Sequence, residues 1–305
     1  MTTDLSLSLC GDIKVSPPAI NMVHRRSGAP SGIPEARCSV THLRGPSFAP
    51  STHGFSFDVG RGFRQGTEDL DALMITLRRS EERRRLKRGN HDAWMTFDPD
   101  NPSDPLRRGF HALESLNEEM LGPEVALYPH SQDDAEIVTY VREGSLIHQN
   151  AGGLRGRLGP GEFQRTSACS GIRDRAVNGS STDDAHVFQF CITPKGVGLQ
   201  PAQEQRRFPI ADREGVLRVV LSPDGGHESL PIDQDVRLYS SILLLGHHLI
   251  HELGAGRGAW LHVIKGRVRL RDHDLRAGDG AALENESAVS FTAQEPAEVL
   301  LFDLA

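Results

Sequence analysis

The chain has 305 residues, 37% of them hydrophobic and 25% charged, with a formal net charge of −7. That length accommodates one large or two ordinary domains, and the acidic balance argues against a duplex nucleic-acid binder, whose footprint is basic. No run of about 18 apolar residues is available to span a membrane, and residues 1–15 lack the basic and continuous apolar regions of a secretory signal.

Residues 1–73 stand apart from the rest. Roughly a third of them are Gly, Pro or Ser, a composition that cannot assemble a core. Pro17, Pro18, Pro30, Pro34, Pro46 and Pro50 interrupt any helix or central strand. A disordered extension is expected over 1–73, with Met74 as the expected translation start. Order is expected from Met74, with a strand around Leu77 and a charged helical turn or loop over 81–87.

From Phe110 onward short apolar segments alternate with Gly, Asp and Pro. Strands are expected at 137–141, 187–192, 217–221 and 238–244. The last seventy residues are the clearest, with strands expected at 248–253, 259–264, 267–270, 288–292 and 299–304. This spacing is that of a sandwich or barrel. No segment sustains a helical period, so the fold class is all-β. The sequence also echoes itself. Arg142-Glu143-Gly144 matches Ile264-Lys265-Gly266 in position, and Gly159-Pro160-Gly161-Glu162 matches Arg276-Ala277-Gly278-Asp279. Each half thus reads strand, Gly turn, strand, Gly-acid turn, as two copies of one barrel would.

Two stretches carry the chemistry. One runs Pro129-His130-Ser131-Gln132 into Glu136-Ile137-Val138-Thr139-Tyr140-Val141-Arg142-Glu143-Gly144. The other runs Pro160-Gly161-Glu162-Phe163-Gln164 and ends Gly171-Ile172-Arg173-Asp174-Arg175-Ala176-Val177-Asn178. With Trp94-Met95-Thr96-Phe97, Glu204-Gln205-Arg206-Arg207-Phe208, Leu221-Ser222-Pro223-Asp224 and the start Met74-Ile75-Thr76-Leu77-Arg78, this order of segments resembles the pirin family of cupins over about 74–305.

The resemblance implies a bicupin: two antiparallel jelly-roll β-barrels packed face to face, the first over 74–205 and the second over 206–305. It further implies one iron-like metal in the N-terminal barrel, held by a His-x-His pair and a later His-x-Glu pair, and none in the C-terminal barrel. Some members oxidise flavonols such as quercetin, and some act as nuclear transcription cofactors.

Carried over residue by residue, that ligand set is largely missing. An ungapped register back from Glu136 places His130 and Gln132 at the first pair, while Tyr128-Pro129-His130 fits it only with two inserted residues. Asp174 falls at the later His position and Ala176 at the Glu position. Gln132 offers a weak neutral oxygen and Ala176 no donor at all. A reduced site of His130, Glu136 and Asp174 would be one alternative. The other is a hydrogen-bonded His130–Asp174 pair lining an apolar barrel mouth.

The expectation is therefore a pirin-like binding module for a small aromatic ligand or a protein, with no cofactor, monomeric and cytoplasmic. The alternative is a quercetinase-type dioxygenase using Fe(II) or another divalent transition metal. The remaining candidates read as structural. The four cysteines (Cys10, Cys38, Cys169, Cys191) have no CxxC spacing, and Cys169 is expected to be a buried, inert thiol. His148, His247, His248, His251 and His262 are expected to be ordinary strand histidines, and the basic run Arg83–Arg88 a solvated face.

Overall fold

Ala185–Ile192 and Ala297–Leu304 are eight-residue runs in which almost every side chain is buried. A strand covered on both faces must lie between two layers, and each of these runs is the middle of a seven-stranded sheet. The computed structural model describes residues 74–127, 135–149, 155–168, 175–196, 198 and 200–305. The 1–73 segment, His130, Gln132, Cys169 and Asp174 lie outside these residues.

In the N-terminal sheet the order across the strands is Ala202–Arg207, Glu162–Ala168, Ala135–Glu143, Ala185–Ile192, Leu113–Leu121, His91–Met95 and Arg84–Arg88. In the C-terminal sheet it is Met74–Arg78, Gly280–Glu284, Gly258–Lys265, Ala297–Leu304, Val236–Leu243, Arg218–Ser222 and Leu230–Pro231. All neighbours pair antiparallel except the last two, which are parallel. A second, smaller sheet belongs to each barrel: Arg155–Leu158, Leu146–Gln149 and Arg175–Asn178 in the first, and His248–Glu252, Ala288–Ala293, Arg267–Leu270 and His273–Arg276 in the second. The fold is the all-β bicupin expected.

Two details refine the expected division. Met74–Arg78 pairs with Gly280–Glu284, so the first described strand joins the C-terminal sheet. Residue 205 falls inside Ala202–Arg207, which closes the N-terminal sheet. The expected turn or loop at 81–87 is a short 3-10 turn at Ser80–Glu82 followed by the strand Arg84–Arg88. Its charges hid the strand because it is an edge strand, where charged side chains block further pairing.

The internal repeat is visible in the turns. Gly144 and Gly266 both have positive φ, 78° and 77°. A Cβ at Gly144 would lie 2.7 Å from Ala185 Cα, and one at Gly266 2.8 Å from Ala297 Cα. Each glycine thus lets the chain pass the first residue of its barrel's central strand, which no L side chain permits.

The two large sheets face each other across one apolar layer. Val138, Tyr140, Phe163, Phe188 and Phe190 come from the first barrel, and Val220, Leu238, Trp260, Leu300 and Phe302 from the second. Phe190 meets Phe302 edge to face at 5.2 Å between ring centres. Burying each such side chain contributes about 1.5–3 kcal/mol. The interiors differ sharply. The C-terminal barrel is filled by Leu261, Val263, Val268, Leu275, Leu283, Val289, Phe291 and Leu301. Among the described residues the apolar cluster inside the N-terminal barrel is smaller, built on Leu121, Leu127, Val141, Leu146, Leu158 and Val187.

Candidate functional site in the N-terminal barrel

Side chains alternate between faces along a strand. In Ala135–Glu143, Val138 and Tyr140 face the other barrel, so Glu136 does too. Its carboxylate accepts from Ser167 Oγ at 3.0 Å, from Arg165 Nη1 at 3.4 Å to both oxygens, and from the Asp233 backbone N–H of the second barrel at 3.3 Å. Glu136 is fully buried there. This corrects the reduced ligand set: Glu136 belongs to the contact between barrels, on the far side of its strand from the interior.

The alternate positions turn inward and form a continuous row. Asn117 pairs with Gln189, Gln189 with Thr139, Thr139 with Gln164, and Gln164 with Gln205, each step crossing to the adjacent strand. Gln189 donates its amide to Thr139 Oγ1 at 3.1 Å. At the other end His148, from the small sheet, has Nε2 at 3.1 Å from Gln164 Nε2 and 3.3 Å from Gln205 Oε1. That contact across the barrel shows that the row faces the interior. Asn117 Oδ1, Gln189 Oε1 and His148 Nδ1 are buried without a hydrogen-bond partner among the described residues. This stretch of the inner face is a polar wall, while the expected His130–Asp174 pair at the mouth lies outside the described residues.

Ala176 pairs directly with His148. A methyl group thus stands beside the imidazole on this wall. His148 fits because its other neighbour is Gly156, where a Cβ would lie 2.3 Å from His148 Nε2. Among the described residues no three His, Cys, Asp or Glu side chains converge to hold a metal. On the same wall His91 Nε2 and Glu119 Oε2 are buried together at 2.6 Å. Cys191 is buried, and burial pushes its thiol up to about 12, so it is inert as a nucleophile.

Between the barrels runs a chain of charges. Glu118 takes Arg83 Nη1 at 2.8 Å and His186 Nε2 at 2.9 Å. His186 Nδ1 accepts from Arg142 at 3.2 Å, and Arg142 donates on to Glu298 at 3.3 Å. Glu298 also accepts from Tyr140 and Arg213. Against the opposing pull of burial, the His186 hydrogen bond and the Arg83 charge hold Glu118 down to about 2. His262, fully buried near the same pair, is pushed down to about 3 by burial, with the Arg83 charge adding to it.

The second-barrel histidines are structural, as expected. His251 bonds Asp303 at 2.8 Å, His248 bonds Thr292, and His247 accepts from the Leu244 backbone N–H. In the basic run, Arg84 pairs with Asp98 and Asp100, and Arg85 and Lys87 with Asp92. No described helix is long and apolar enough to cross a membrane.

The inward row went unremarked in the sequence. Its signal was a lone polar residue inside an apolar strand, as in Val187-Phe188-Gln189-Phe190 and Ile137-Val138-Thr139-Tyr140.

Comparison with known proteins agrees with this architecture. The pirin family model matches residues 79–192, and the model of the quercetinase C-terminal cupin domain matches 219–304. The chain is 39% identical over 231 residues to the quercetin 2,3-dioxygenase of Escherichia coli K12, covering 76% of this chain and 99% of that protein. It is 34% identical over 221 residues to a pirin-like protein of Caulobacter vibrioides, covering 72% and 93%. The crystal structure of the bacterial pirin YhhW of Escherichia coli in complex with nickel(II) superposes with a TM-score of 0.70 at 39% identity, over 76% of this chain and 99% of that one.

Proposed function

Because the chain belongs to the pirin family, we propose that it is a bicupin whose N-terminal barrel binds a small molecule without a tightly held metal. Ala176 carries this reading: it stands opposite His148 at the family's Glu position. Imidazole and carboxylate are the donors that late first-row metals prefer, and a methyl group supplies neither. The nearest described carboxylate of the first motif, Glu136, is committed to Arg165 and Ser167 on the other face. The residues present do not fit a three-His, one-Glu centre.

The rival reading is flavonol oxidation, favoured by the dioxygenase and nickel(II) named for the Escherichia coli relatives. It requires a base for the substrate hydroxyl proton, held within hydrogen-bond reach. The motif Glu would be that base, and Ala176 cannot take its place.

Oxygen uptake with quercetin, measured after loading with Fe(II) or Ni(II), separates the two. No uptake above the metal-only control is expected. Sustained uptake that disappears in His130→Ala would establish the oxygenase instead.

A further inference from the structure

The fold contains its own control for what a barrel wall requires. In the C-terminal barrel an inward row runs Tyr239, Leu301, Leu261, Ala281 and Leu77 across adjacent strands. Leu301, Leu261 and Ala281 are fully buried, and all three belong to the barrel's apolar cluster. A cupin wall of this architecture therefore closes on aliphatic side chains. The N-terminal barrel builds Asn117, Gln189, Thr139, Gln164 and Gln205 into its inward row, with Thr139, Gln164 and Gln189 each 7% exposed. It leaves Asn117 Oδ1, Gln189 Oε1 and His148 Nδ1 buried and unbonded among the described residues. Buried groups without partners destabilise a fold, whereas an apolar replacement of the same shape is neutral or stabilising. Such positions persist where they serve binding.

Resting on the binding-module reading above, we infer that this amide row is the recognition element for a neutral, planar ring carrying a hydrogen-bond donor beside an acceptor on one edge. Carboxamides suit that pattern because each presents a C=O and an N–H₂ side by side, and one side chain can engage both groups of a ligand edge. Charge selects against ions. The row itself carries no ionisable side chain; in the next register along the wall Glu119 meets His91, Glu162 accepts from the Gly159 backbone N–H, and Arg207 is exposed on the edge strand. A carboxylate ligand seated on the row would meet amides and a hydroxyl rather than a cation, and an amine would meet no carboxylate. No metal enters the recognition.

The test uses the full chain freed of metal with a chelator, with quercetin as the probe and 4-hydroxybenzoate as an anionic competitor. Gln189→Met and Gln164→Met keep side-chain length while removing the amide. Saturable quercetin binding to the metal-free protein is expected, weakened by about tenfold or more in either variant, with melting temperature unchanged or raised. The anion should not compete. Wild-type-like affinity in both variants, or a lowered melting temperature in both, would make the row structural and overturn the inference. Equal competition by the anion would overturn the ligand class, and no saturable binding in either the chelated or the Ni(II)-loaded protein would overturn the inference as a whole. If quercetin binds only after Ni(II) is added, the metal-free function fails separately. The row is then judged in the loaded protein by equilibrium binding of the same two variants, a comparable weakening supporting it and unchanged affinity overturning it.

Discussion

His148 and Ala176 face each other directly across the strand pair Leu146–Gln149 and Arg175–Asn178. The imidazole is held by Gln164 and Gln205 rather than by a carboxylate. At this point of the wall the neighbours of the imidazole are a methyl group and neutral amides.

Restoring the missing donors should restore metal. The triple variant Gln132→His, Asp174→His, Ala176→Glu recreates a three-His, one-Glu set with His130 in the ungapped register. Its metal content by mass spectrometry should rise clearly above wild type. Supporting hydrogen bonds tuned to other side chains would weaken that site by roughly 10–100-fold. Ala176→Glu alone should raise the content little, since one added carboxylate does not complete the set.

Gly156→Ala should disturb the site without touching the motif. The new Cβ would meet the His148 ring at 2.3 Å, forcing it away from Gln164 and Gln205. A loss of about 1–3 kcal/mol is expected from such crowding, read as a lower urea midpoint, together with weaker quercetin binding.

Glu298 is expected to be the critical charge between the barrels. Its removal leaves Arg213, itself buried, without its carboxylate. Glu298→Ala should cost about 3–5 kcal/mol. Tyr140→Phe, which deletes one hydroxyl of the same cluster, should cost about 1 kcal/mol. Urea unfolding measures both.

Acid should weaken the fold from below neutrality. His262 binds its proton at about 3 in the folded chain, against an ordinary value of 6.5. Between those values the unfolded chain holds the extra proton, so stability falls as pH drops from about 6.5 toward 3, by on the order of a few kcal/mol. Glu118, held at about 2 against 4.5, adds a second loss below about pH 4.5. In His262→Phe the first phase should vanish and the second remain, as followed by urea midpoints across the pH range.

Much of the architecture was legible because strand spacing and Gly turns recur in both halves. The strands over 259–264 and 299–304 fall within Gly258–Lys265 and Ala297–Leu304, where apolar residues predominate. Two features were not legible. Ala135–Glu143 is covered on both faces, so its sequence cannot show which face Glu136 joins; that depends on pairing with Arg165 across the sheet. The amide row draws on residues from 117 to 205 in the chain. It exists only through the register of five strands, and single polar residues in apolar strands are its one trace in the sequence. The expectation that Gln132, Asp174 and Ala176 stand at the family's donor positions comes from motif spacing alone, because a motif compares residue types at fixed intervals.

The central claim is that this barrel binds its ligand on a polar wall without a tightly held metal. The most direct measurement is the Fe, Ni, Cu and Mn content of the purified full chain after exposure to excess metal and removal of the unbound ions. The account predicts well under one equivalent in total. A full equivalent retained tightly, and lost on His130→Ala, would contradict it.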